Sequence, residues 1–165
     1  MKHSEVLVLG VGNILLSDEG AGSKAVEELK RRFALPEGVE VIDGGTLGIE
    51  LLPYLDNRSH LFIIDAVQSG KGPGTTVRIY LEDPPAYFRT KISPHQIGLS
   101  ELLAVAAMTD NLPEDIVLFG VEPEKLDTSM QMSNAVSASI DSLVDMVVVE
   151  LESMGFKMQP VGDAA

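Results

Sequence analysis

Apolar residues along the chain fall into two kinds of run. One kind is short: Val6 to Leu9 ends at Gly10, Leu61 to Ile64 ends at Asp65, and Ile116 to Val121 is interrupted only by Gly120. Such a run reads as a strand buried on both faces, as in a parallel sheet. Val39 to Asp43 reads as another, so that Asp43 and Asp65 each stand at the carboxyl end of a strand. The other kind recurs at helical spacing. Ala21, Ala25, Leu29 and Phe33 step by four and are stopped by Pro36 and Gly38. Val136, Ile140, Leu143, Val147, Leu151 and Met154 fall on the stripe of a single final helix. Ser93-Pro94-His95-Gln96 has the grammar of a helix start: a serine N-cap, proline at the first helical position and glutamine completing a capping box. That helix is predicted to reach Met108, and a shorter one covers Ile49 to Leu55. Val77, Ile79 and Leu81 alternate with Arg78 and Tyr80, which predicts an edge strand with one wet face.

Strands alternating with helices call for right-handed crossovers. The expected fold is therefore α/β: a doubly wound, mostly parallel twisted sheet of about five strands with helices on both faces. No repeat or linker divides the chain, so residues 1–158 are expected to form a single domain and 159–165 a frayed tail. At 165 residues such a domain buries roughly 70% of its unfolded surface and needs no staple.

Composition narrows the chemistry. With no cysteine, disulfides, thiolate nucleophiles and sulfur-ligated metals are excluded. Apolar runs fall short of the roughly 18 residues of a membrane span, and the amino-terminal run is too short for a secretory signal. A cytoplasmic monomer with no membrane partner is expected. Twelve basic residues against twenty-five acidic ones give a net charge of -13, which repels a phosphate backbone. Lys30, Arg31 and Arg32 cluster at a predicted helix end, where they meet the negative pole of the dipole, so no nucleic-acid partner is expected.

In folds of this class sites open beyond the carboxyl ends of the strands, and Asp18, Glu19, Asp43 and Asp65 lie there. Gly10-Val11-Gly12 invites a dinucleotide reading, but Leu15 holds the third glycine position and two acids sit where a pyrophosphate needs uncharged donors. Lys71 lacks the glycine and the hydroxyl residue of a phosphate loop. Neither a GxSxG elbow nor an HExxH helix occurs. What remains is Glu19, Asp65 and His95, an oxygen and nitrogen set suited to nickel, zinc or manganese with coordination positions left open. Each also has an ordinary use: the acids at a helix N-terminus or a turn, the histidine in a cap or core. His95 faces the positive end of its helix, so its imidazolium is expected to be disfavoured. His3 lies in the terminal extension, and His60 begins its strand at the end opposite the proposed site. Met130 and Met132 read as packing residues that can also touch a peptide.

The stretch Val8 to Glu19, with Gly10-Val11-Gly12-Asn13 and the Asp18-Glu19 pair, resembles the opening motif of the hydrogenase maturation endopeptidases. Asp43-Gly44-Gly45-Thr46 with Gly48, Ile64-Asp65-Ala66 and Ser93-Pro94-His95-Gln96 agree in order and spacing, over about residues 6 to 155. The resemblance implies an endopeptidase that removes the C-terminal peptide from the nickel-loaded precursor of the nickel-iron hydrogenase large subunit. It places the nickel-contacting and catalytic roles on Glu19, Asp65 and His95, with Asp43 in support. Nickel is then carried by the substrate, with another divalent metal as an occupant of the same site in the free protein. The carboxylates, or a water they orient, are expected to attack in an aspartyl-protease-like manner. The segment from Glu82 to Lys91 is a candidate docking surface or a plain crossover. Alternatives are a non-catalytic nickel checkpoint or chaperone for the precursor, and a Rossmann-like nucleotide-binding oxidoreductase.

Overall fold

A computed structural model describes residues 5–89 and 93–162. His3, Lys91 and the last residues of the tail lie outside them. Strand β1 (Val6–Val11) is buried along its whole length. It pairs in parallel with β3 (Val39–Gly45) on one side and β4 (His60–Ala66) on the other. Beyond β4 lies β6 (Asp115–Val121), also parallel, and then the antiparallel edge strand β5 (Thr76–Tyr80). The order β3-β1-β4-β6-β5 gives the doubly wound, mostly parallel five-stranded sheet that the apolar runs predict. The chain leaves β1 toward β3 and returns to β4, so the winding reverses between β1 and β4.

Side chains alternate across each strand, which divides the core in two. Val6 and Val8 face α1 (Ala21–Arg32) and α5 (Ile140–Ser153), with Phe62 and Phe119 stacked edge to face among them. Leu7, Leu9, Leu61 and Ile63 face a 3-10 helix at Ile49–Leu55 and the helices α2 (Pro84–Arg89) and α3 (Pro94–Met108). Asp65 continues the parity of Leu61 and Ile63 and so points toward α3. Helix α1 lies directly on the sheet at Gly22, where a Cβ would stand 2.2 Å from Ile64 O and 2.3 Å from Val11 O.

Three expectations are corrected. The final helix is broken into α4 (Asn134–Ser137) and α5, and at the junction the Ser139 hydroxyl donates to Gly74 O at 2.6 Å and lies 3.1 Å from Ala135 O. The tail is not frayed at its start: β7 (Gln159–Pro160) pairs antiparallel with β2 (Phe33–Ala34), and Val161 N donates to Arg32 O. The capping box at the start of α3 does not form, because Ser93 and Gln96 turn their side chains to the site described below. Residues 84–89 of the Glu82–Lys91 segment are helix α2, whose Phe88 is buried against α3. Among the described residues no helix is long and apolar enough to cross a membrane.

Candidate active site

Glu19, Asp65 and His95 come from three separated segments, and the fold brings them into direct contact. Asp65 ends β4 beside the reversal in winding and is completely buried. His95, in the first turn of α3, reaches across with Nε2 at 3.1 and 3.2 Å from the two Asp65 oxygens. Its Nδ1 lies 2.7 Å from Glu19 Oε1, in the 3-10 turn Ser17–Gly20 that links β1 to α1. The imidazole therefore bridges two acids at the carboxyl ends of β1 and β4, where folds of this class place ligands.

Further side chains hold this row in place. Ser93 Oγ donates to Glu19 Oε1 at 3.1 Å and lies 2.7 Å from His95 Nδ1. Gln96 Nε2 donates to Asp65 Oδ2 at 3.1 Å, and Ala66 N donates to Oδ1 at 2.8 Å. Glu19 is placed by its neighbour. Asp18, fully buried, accepts from Glu124 N, Lys125 N, Ser133 N and Ser133 Oγ, tying the turn to residues 124–133. Gly12 keeps the loop close: at a φ of 128°, its Cβ position lies 1.8 Å from Glu19 O.

Burial pushes the Asp65 carboxyl up, against the opposing pull of His95, Gln96 and the Ala66 amide. Burial alone would pull His95 down, but its hydrogen bond to Asp65 and the charges of Asp65 and Glu19 outweigh it and raise the imidazole above its ordinary value. This corrects the expectation drawn from the helix dipole. Two carboxylates in contact act over shorter distances than the partial charge of a helix end. Among the described residues no three His, Asp or Glu side chains are spaced as a ready cation cage, and both ring nitrogens of His95 are engaged by acids.

The row opens on a pocket of about 330 Å³. Glu19, His95 and Gln96 form its polar end, and Val67, Phe88 and Leu126 are among its apolar walls. Buried acids beside an imidazole and an apolar cavity can position a water, move its proton and receive a side chain of a bound polypeptide.

Sequence comparison decides the family: the sequence profile of the hydrogenase maturation proteases, HycI, matches residues 23–150. The chain belongs to the hydrogenase maturation protease family. It is 44% identical over 156 residues to the hydrogenase 2 maturation protease of Escherichia coli K12, covering 94% of this chain and 95% of that relative. The hydrogenase expression/formation protein HupD of Rhodobacter capsulatus is 38% identical over 159 residues, 95% of this chain and 76% of its own length. Among solved structures, the hydrogenase maturating endopeptidase HybD from E. coli superposes with a TM-score of 0.90 at 43% identity, covering 97% of this chain and 99% of its own. The [NiFe] hydrogenase maturation protease HybD from Thermococcus kodakarensis superposes at 0.73 with 27% identity, over 88% and 98% of the two chains. As a member of this maturation protease family the chain is an endopeptidase, a hydrolase of peptide bonds.

The other sequence candidates fall outside the row. Asp43 accepts from Ser23 Oγ at 2.7 Å and from Gly45 N, on the α1 side of β3. His60 opens β4 at the far end of the sheet, beside Ser59 and Asp115. Met132 packs partly on the core, whereas Met130 is exposed. The loop after β1 has little to offer a pyrophosphate, since Gly12 N, Leu16 N, Ser17 N and Asp18 N already donate to backbone carbonyls. Ser93 and Gln96 were visible only as caps, and the Asp18 tie only as half of an acidic pair. Their partners lie up to 115 residues away, beyond any local pattern.

Proposed function

We propose that this maturation protease removes the C-terminal peptide from the nickel-loaded precursor of a nickel-iron hydrogenase large subunit, and that Glu19, Asp65 and His95 read the nickel carried by that substrate. The observation that supports this reading is the convergence of the three side chains, within 2.7 to 3.2 Å of one another through the imidazole, with Glu19 and His95 lining the pocket and Asp65 buried behind His95. Two acids around one imidazole leave surplus negative charge, which a cationic centre relieves. Oxygen and imidazole donors also suit nickel already held by other groups.

Engagement of that nickel requires His95 to release at least one carboxylate partner and a proton. A precursor without nickel leaves the row closed on itself, so binding energy is tied to the loaded state of the substrate. For cleavage, Asp65 is suited to accept a proton from an attacking water, because burial holds its carboxyl above the usual range. The water oxygen adds to the scissile carbonyl, and the proton passes to the departing amine.

The experiment is a size-shift assay of the nickel-loaded precursor with purified protein. Wild type shortens the large subunit, and precursor lacking nickel stays intact. Glu19→Gln, with an unchanged circular dichroism spectrum, is expected to abolish processing. Full processing by that variant removes Glu19 from the mechanism. Binding without cleavage by the wild type favours a checkpoint role instead.

A further inference from the structure

Exposed large apolar side chains gather at the end of the sheet where the pocket opens. Leu47, Ile49 and Ile97 form one lobe. It is closed by Gly48 and Gly98, whose backbones approach so closely that a Cβ on Gly48 would lie 3.1 Å from Gly98 Cα. Ile14, Leu15, Leu126 and Met130 form a second lobe. There Ser129 N donates to Leu15 O at 2.9 Å and Ser17 N to Ser129 O at 2.8 Å, while Leu126 also lines the pocket. The two lobes are joined through the site itself. Gly12 N donates to Gly45 O beneath it, and Glu19, three residues after Leu16, touches His95, two residues before Ile97.

We infer that this apolar rim is the docking surface for a folded face of the precursor edged by lysine and arginine, so that the protease reads a broad protein surface as well as the metal and the scissile segment. The inference rests on the function proposed above and names how that substrate is held. Exposed apolar area of this kind beside a site marks an interaction surface. A single peptide side chain can fill the pocket, but only a wide partner reaches both lobes. The segments that carry the rim also expose Glu50, Glu101, Glu124 and Asp127 against Lys125. A second copy of this chain would set acid against acid across a self-complementary contact, whereas a basic-edged partner pairs with them.

The test is steady-state cleavage of nickel-loaded precursor by the full chain, with KM and kcat resolved. Leu15→Ser with Met130→Ser, and separately Leu47→Ser with Ile49→Ser, are expected to raise KM by about tenfold or more each while kcat stays within about twofold. Met108→Ser and Val149→Ser change residues exposed by 86% and 67% away from the rim and are expected to leave KM alone. The wild-type KM should also rise with ionic strength. Unchanged KM in both rim pairs, with an active wild type, overturns the inference and leaves the proposed function standing. A wild-type dimer in sedimentation that the rim substitutions dissociate assigns the face to a second copy and also overturns it. A wild type that cleaves no loaded precursor removes the proposed function and this inference together.

Discussion

His95 has an acid on each ring nitrogen, and a neutral imidazole carries only one N–H. Satisfying both contacts with ionised acids requires the imidazolium, which is why the charges of Asp65 and Glu19 prevail over the burial of the ring. Asp65→Asn keeps the shape of the side chain and removes the charge. The imidazole should then titrate lower than in the wild type, which a proton–carbon NMR titration of the ring reads directly. An unchanged titration would show that Asp65 does not hold the proton on His95. Both His95 and Asp65 have folded values above their ordinary ones, so the native state binds protons more tightly than the unfolded chain. For His95 that stabilisation is complete below its ordinary value of 6.5 and is lost as pH rises through the raised folded value. The wild type should therefore lose more stability than Asp65→Asn across that window.

At the scale of elements, the sheet was legible because buried parallel strands leave unbroken apolar runs, and Glu19 in the turn after β1 and Asp65 near the end of β4 fall where the fold opens its sites. His95 came instead from the helix start at residues 93–96, and the fold brings it against Glu19 and Asp65 across 76 and 30 residues. Less legible were choices settled by tertiary partners. Ser93 and Gln96 have the residue types of a capping box, but their side chains donate instead to the carboxylates of Glu19 and Asp65, which are stronger, charged partners than a neutral helix terminus offers. Asp18 likewise read as an acid at a helix start, whereas it ties the Glu19 turn to the 124–133 segment. Burial raises its carboxyl, but the bonds from Lys125, Ser133 and Glu124 outweigh this and hold it below the usual range. Its stabilisation is thus present above the ordinary value of 3.8 and lost as pH falls through the lower folded value. Asp18→Asn sets an amide N–H₂ against donors, with an expected loss of about 1–3 kcal/mol at neutral pH and a flatter acid limb in urea melts. An acid limb identical to that of the wild type would mean that the tie does not depend on the charge.

For the molecule as a whole, the surplus of acids sets a balance between repulsion and pairing. The net charge is -13. Ion pairs such as Arg31 with Glu28, Arg32 with Asp145 and Arg78 with Glu150 lie at the surface. Exposed pairs contribute about 0–1 kcal/mol each and are weakened by salt. Repulsion among unpaired acids is weakened too, and the two responses oppose each other. Range decides between them. A domain of this length has a radius of gyration of about 15 Å, while the screening length is about 30 Å at 0.01 M salt and about 8 Å at 0.15 M. At low salt each acid repels every other across the molecule, whereas at 0.15 M only close neighbours interact. Contact pairs keep much of their attraction over the same change, because their charges sit well inside either screening length. Added sodium chloride over this range should therefore raise the thermal midpoint by at least about 2 °C in calorimetry, as about 1 kcal/mol does for a domain of this size. A falling midpoint would mean that the ion pairs dominate. The same long-range field bears on substrate capture if the partner is the basic-edged precursor face proposed above, since lysine and arginine there lower the repulsion that salt otherwise screens. Raising salt should thus stabilise the free protease while weakening its hold on that partner, two opposite responses from one charge distribution.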